Sequence, residues 1–119
     1  MQKVNLAEKL AMVDAPWTPK IVGELNDQHV KIAKLEGDFI WHRHTDEDEL
    51  FLVLEGSLDI AFRDGQTHLE PGEFVIVPRG VEHKPSAPEG ACVLFFEPAT
   101  TLNTGDQHNE RTVENLDRL

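Results

Sequence analysis

Three histidines and one glutamate carry the chemistry this chain could perform. His42 and His44 flank Arg43 in the run Ile40-Trp-His-Arg-His-Thr45. On a strand, a spacing of two puts both imidazoles on one face, a few ångströms apart. Adjacent imidazoles on one face are what a metal needs from a sheet. The acidic run Asp46-Glu-Asp-Glu49 follows. It reads either as a solvated loop or as a loop whose last member, Glu49, opens the next strand and turns inward as an oxygen ligand. His83 comes later, behind Pro78-Arg79-Gly80-Val81-Glu82. Taken together, His42, His44, Glu49 and His83 form a set of three nitrogens and one oxygen. That set suits a divalent transition metal, Fe, Mn, Co, Ni or Zn. It does not suit Ca or Mg, which prefer all-oxygen sites.

The stretch Gly37-x4-His42-x-His44-x4-Glu49-x6-Gly56 resembles the first motif of the cupin family, and Gly72-x5-Pro78-x-Gly80-x2-His83 resembles the second. The two stand in order, 15 residues apart. The resemblance implies an all-β fold, the double-stranded β-helix or jelly-roll barrel. It also implies that His42, His44, Glu49 and His83 face the barrel interior as metal ligands. Two departures are present. Four residues, where the family usually has five, separate Gly37 from His42, and Ala87 stands where the second motif usually closes with Asn. Neither touches the four ligand positions.

The elements that must hold these residues are short strands. From about Ile21 to Glu97, apolar stretches alternate with turn signals such as Asp64-Gly65, Pro71-Gly72 and Arg79-Gly80. That spacing marks a sandwich or barrel. Gly56 and Gly72 fall at turns where a positive φ is expected. Ahead of the strands, residues 5–13 read as a short helix capped by Asn5, with Leu6, Leu10 and Val13 on one face. The expected organisation is an N-terminal arm over 1–19, a barrel over 20–97 and a C-terminal tail over 98–119 that wraps the barrel or a neighbour. The run Glu49–Glu55 is apolar on both faces, as is Cys92–Phe96. A second covering is therefore expected, either from the N-terminal segment or from a partner subunit in a homodimer.

Composition excludes several functions. The 119 residues carry 11 basic against 22 acidic side chains, a net charge of −11. Nucleic-acid and anionic-membrane binding need clustered Lys and Arg, and these basic residues are scattered. The longest apolar run, Ala91–Phe96, is far short of a spanning helix, and the N-terminal stretch has no signal-peptide core. A cytoplasmic protein is expected. The single cysteine, Cys92, allows no intrachain disulfide and reads as a small buried apolar residue of the last strand. The absence of tyrosine excludes mechanisms with a Tyr acid or base, and a Cys–Tyr cofactor.

Four protein ligands on a six-coordinate metal leave two positions for substrate, and an open position separates a catalytic metal from a structural one. The leading functional expectation is a small metal-dependent enzyme of isomerase, dioxygenase or decarboxylase type, acting on a polar, oxygen-rich small molecule. The alternative is a non-catalytic module that binds a metal or small ligand. His29, His68, Glu70 and Glu82 are the candidate proton carriers, and each reads more readily as a surface residue. Arg63 and Arg79 could orient an anionic substrate if they line the barrel mouth. Trp41 and Arg43, opposite in parity to the histidines, should point outward.

Overall fold

A computed structural model describes all 119 residues. Helix α1 (Leu6–Leu10) leads into seven strands: β1 (Lys20–Leu25), β2 (Gln28–Asp38), β3 (Glu49–Gly56), β4 (Leu58–Phe62), β5 (Gly65–Leu69), β6 (Phe74–Val77) and β7 (His83–Pro98). They pair antiparallel in the order β1-β2-β7-β3-β6, and β4 joins both β5 and β7. The 16-residue β7 is the spine of the barrel. Its first residues, from His83 to Ser86, pair with β4, and its last, from Ala91 onward, pair with β2 on one side and β3 on the other. Register shifts between Leu35 and Gly37 and between Val53 and Glu55 bend the long strands. A bulge adds local twist, which lets a sheet curl over on itself.

Alternate residues of β2, β3 and β7 fill the interior. Ala33, Leu35, Phe51, Val53, Val93 and Phe95 belong to one buried cluster with Leu58, Ile60 and Val77. Gly56 adopts φ +74°, and a Cβ there would lie 2.2 Å from the carbonyl oxygen of Gly90. Only glycine lets β3 pass β7 at that distance. Gly72 also has a positive φ, +84°.

The N-terminal segment covers part of the second face. Leu10 and Val13 are buried against Val22 and Ile32, and Leu54, Cys92 and Leu94 pack on the same cluster. The rest of that face is open. Phe74 and Ile76 of β6 stay more than half exposed beside Leu52 and Leu50, their partners on β3. Helix α1 is shorter than the 5–13 expected. Asn5 caps it as anticipated, accepting from the Glu8 amide at 3.0 Å. It stops at Leu10, leaving Ala11 and Met12 in a turn. Pro16 cannot extend a helix and biases the residue before it towards extended backbone. The tail returns to β1, where Ile21 donates to the Asp117 carbonyl at 2.9 Å and accepts from the Leu119 amide at 3.0 Å. No helix is long and apolar enough to cross a membrane.

Candidate metal centre

His42, His44, Glu49 and His83 converge inside the barrel. One ligand atom from each lies within 4.8 Å of every other. All four residues are at most 4% exposed. Glu49 opens β3 and His83 opens β7. His42 and His44 do not lie on a regular strand, contrary to the expectation from their spacing. His42 forms a single bridge with His83, each amide donating to the other's carbonyl at 3.0 and 2.9 Å. The flanking backbone is used elsewhere. Arg43 donates to Asp106 Oδ1 and accepts from the Asp106 amide, both in the tail, and the His44 carbonyl accepts from Gly80. A backbone committed to three different segments cannot extend a ladder. The rings still share one side, with centroids 5.0 Å apart for His42–His44, 4.3 Å for His42–His83 and 5.6 Å for His44–His83.

Hydrogen bonds orient two of the rings. His42 Nδ1 faces the Ile40 carbonyl and His83 Nδ1 faces the Val81 carbonyl, each at 2.9 Å. A ring nitrogen against a carbonyl must carry the proton, so each Nε2 is left as the acceptor. Yet Glu49 Oε1, also an acceptor, lies 3.4 Å from His83 Nε2 and 3.3 Å from His44 Nε2. Both His44 nitrogens, His83 Nε2 and Glu49 Oε1 are buried without hydrogen-bond partners. A cation among them would satisfy Glu49 Oε1, His83 Nε2 and one His44 nitrogen together. Metal–ligand distances near 2.1 Å place neighbouring donors about 3 Å apart, so the spacing fits a transition ion.

The electrostatics agree. Burial, reinforced by the positive charge His83 can carry, pushes His42 down to about 4, so its imidazole is neutral at neutral pH and ready to coordinate. Burial acts to lower His44 as well, but the Glu49 carboxylate overcomes it and raises the net value. Burial alone would raise Glu49; the facing His44 and His83 imidazoles instead hold it well below the usual carboxylate range.

One pair of site residues escaped the reading of the sequence. Lys31 of β2 and Glu97 of β7 point inward, 2% and 4% exposed, and Lys31 Nζ donates to Glu97 Oε1 at 2.8 Å. Leu50 pairs with Phe96, so Glu97 stands opposite Glu49 across the strands. Burial and the neighbouring Glu49 charge push the Glu97 carboxyl well above its ordinary value, against the pull of Lys31. A cation on Glu49 would cancel that repulsion and leave Lys31 to keep Glu97 ionised. The available signal was parity: Ala91, Val93, Phe95 and Glu97 share a face, as do Lys31, Ala33 and Leu35.

A cavity of about 30 Å³ adjoins the cluster, room for a water or two. His42, Glu49 and Glu97 border it, with Phe39, Phe51 and Phe95 as aromatic walls. Trp17 of the N-terminal segment lies on Phe39 with ring centroids 4.7 Å apart. It is held at an unusual φ of +59° by its indole N–H, which donates to the Glu36 carbonyl at 2.7 Å.

The other sequence candidates lie elsewhere. Arg63 stacks 3.8 Å over the outward-facing Trp41 ring and pairs with Glu82, and Arg79 pairs with Asp48, so neither arginine lines the cavity. His29 meets Glu24, and His68 lies between Asp59 and Glu70 on the β4–β5 hairpin. Arg43 points outward to Asp106. Cys92 is half-buried on the outer face, its thiol raised by burial and by Glu55.

A model of the cupin domain matches residues 28–97. The chain belongs to the cupin domain family. A cupin-2 domain containing protein from Shewanella frigidimarina is 44% identical and superposes with a TM-score of 0.78, covering 80% of this cupin and 93% of that chain. Protein NMB1881 from Neisseria meningitidis is 29% identical with a TM-score of 0.76, covering 82% of this cupin and all of that chain. The uncharacterized protein YdbB of Bacillus subtilis is 42% identical over 64 residues, 53% of this cupin and 57% of YdbB. The match thus spans little more than half the length of that relative.

Proposed function

We propose that this cupin is a small metal-dependent enzyme that holds Fe, Mn, Co, Ni or Zn on His42, His44, Glu49 and His83. One observation carries the reading: buried nitrogen and oxygen acceptors without partners converge beside a cavity. Bound there, the metal supplies Lewis acidity at a substrate oxygen or, if it is iron, redox chemistry. The protein supplies the rest. The Ile40 and Val81 carbonyls fix two imidazoles in the coordinating tautomer. Phe39, Phe51 and Phe95 wall the cavity, and Trp17 narrows it from the N-terminal side. The substrate is a polar, oxygen-rich small molecule that brings oxygen atoms to the metal. Isomerisation, dioxygenation and decarboxylation are the reaction classes to test.

The open apolar surface of Leu50, Leu52, Phe74 and Ile76 supports a homodimer, in which a second copy covers what the N-terminal segment leaves bare. A cytoplasmic location goes with this reading.

The test is a turnover survey of metal-loaded protein across hydroxy acids, diketones and sugar phosphates, with dissolved oxygen followed in parallel. Turnover that disappears in the His42→Ala/His83→Ala double variant supports the enzyme. Saturable ligand binding with no turnover by any metal form would replace it with a non-catalytic binding module.

A further inference from the structure

The four ligands are buried and the cavity beside them holds a water or two, so a substrate reaches them only when a wall moves. Trp17 stands between that cavity and the outside. Beyond it, the N-terminal segment and the tail enclose a surface groove of about 320 Å³, lined by Pro16, Trp17, Thr18, Glu110, Arg111 and Val113. Trp17 is the one residue common to groove and cavity. Its backbone sits at φ +59°, a left-handed conformation that a bulky residue adopts only against a steric cost. Stacking on Phe39 and N–H bonds to the Lys34 and Glu36 carbonyls hold it there. Released from them, the backbone relaxes and the cavity joins the groove. Asn103, the tail's part of the cavity wall, is fixed at both ends by the Arg111 carbonyl and the Val113 amide.

Arg111 sets what the groove attracts. Of the five arginines, four pair with carboxylates: Arg43 with Asp106, Arg63 with Glu82, Arg79 with Asp48 and Arg118 with Glu24. Arg111 alone makes no ion pair, although acidic side chains outnumber basic ones two to one. Its guanidinium lies over the Phe39 ring, with Cζ 5.4 Å from the ring centroid, and the His42 ring centroid is also 5.4 Å from that of Phe39. A short carbon chain laid along Phe39 therefore spans from the metal ligands to Arg111. A guanidinium matches a carboxylate with two parallel hydrogen bonds. Glu110, in the same groove, disfavours a doubly charged phosphate.

We propose that the substrate is a small acid with chelating oxygens at one end and a carboxylate at the other, which Arg111 captures in the groove and which enters as Trp17 swings off Phe39. The displaced indole leaves its place to the carbon chain. This rests on the metal reading above, because the chelating end needs the ion.

The test uses Co(II)-loaded full-length protein with two probes, malate and 2-hydroxybutanoate. They share the hydroxy-acid end and differ at the other, a carboxylate against a methyl. Calorimetry reads affinity, and rapid mixing followed by the visible Co(II) spectrum reads entry. Wild type is expected to prefer malate roughly tenfold, the gain typical of a hydrogen bond to a charged group. Arg111→Gln should bring the preference to about one with Co(II) stoichiometry unchanged. Arg79→Gln, at an arginine outside the groove, should keep it. Trp17→Ala should speed the entry of both probes about tenfold or more, since a closed gate is open only a minor fraction of the time. A preference that survives Arg111→Gln, or falls equally in Arg79→Gln, would overturn the proposal. So would entry no faster in Trp17→Ala, or wild type that binds Co(II) but neither probe. Wild type that binds no Co(II) would overturn the metal reading itself, and this proposal with it.

Discussion

Two histidine–carboxylate clusters lie in this molecule, and they differ in what surrounds them. On the β4–β5 hairpin, His68 stands between Asp59 and Glu70, with side chains 50%, 27% and 60% exposed. Both ring nitrogens of His68 have a carboxylate neighbour, at 2.6 and 3.3 Å, and water reaches all three groups. In the barrel, His42, His44, His83 and Glu49 are cut off from water, and four of their polar atoms lack partners. Residue type alone does not make a site. Exposed groups satisfy one another and the solvent, whereas buried acceptors facing each other are stable only with something positive among them.

The largest contrast is expected in metal affinity. His83→Ala should weaken Co(II) binding about a hundredfold or more, beyond what the loss of a supporting hydrogen bond costs. His68→Ala should leave it unchanged. Titration calorimetry reads both, and cooperative thermal unfolding should persist in each variant because the core is apolar. Equal losses in the two variants would erase the distinction between the clusters.

Acid should separate them next. The unfolded chain protonates His42 near 6.5, the folded metal-free chain only near 4. Between those values the unfolded state binds more protons, so stability falls as pH falls. The loss attributable to His42 amounts to roughly 3 kcal/mol across that window. His44 is raised, so it contributes in the opposite sense and offsets part of the loss. Urea unfolding of wild type against His42→Gln isolates the His42 share as a slope that the variant lacks. NMR titration should show His68 shifted the other way, raised by Asp59 and then by Glu70.

The backbones around the clusters should differ as well, by a smaller amount. Gly105 of the tail packs on the His42–Arg43 segment at φ +57°, and a Cβ there would lie 2.2 Å from the Arg43 carbonyl oxygen. Gly105→Ala should cost about 2 kcal/mol and weaken metal binding by shifting His42. At the tip of the hairpin, a Cβ on Gly65 would meet nothing within 4 Å. Gly65→Ala should change stability by no more than about 0.5 kcal/mol. Chemical denaturation measures both. Similar costs at the two positions would mean that the tail does not clamp the site.

Much of this was legible in the residues. His42, His44, Glu49 and His83 stood at telling intervals, and the turn signals marked a barrel. The way His42 and His44 are held was not legible, because Asp106, more than sixty residues away, binds the Arg43 backbone and stops it from forming a strand. Periodicity reports local structure and is blind to such a contact. Lys31 and Glu97 were hidden for another reason. A charge in a strand, Lys31 inside β2 or Glu97 near the end of β7, reads as facing solvent, and only the closed barrel turns both inward. Arg63 and Arg79 went the other way, satisfied on the surface by Trp41, Glu82 and Asp48.

The most direct test of the central claim is elemental analysis of protein purified without chelators or nickel resin, beside the His42→Ala/His83→Ala variant and the His68→Ala control. The buried cluster predicts about one Fe, Mn, Co, Ni or Zn per chain in wild type and in His68→Ala, and none in the double variant. No metal in any of the three, even after reconstitution, or equal metal in all three, would contradict it.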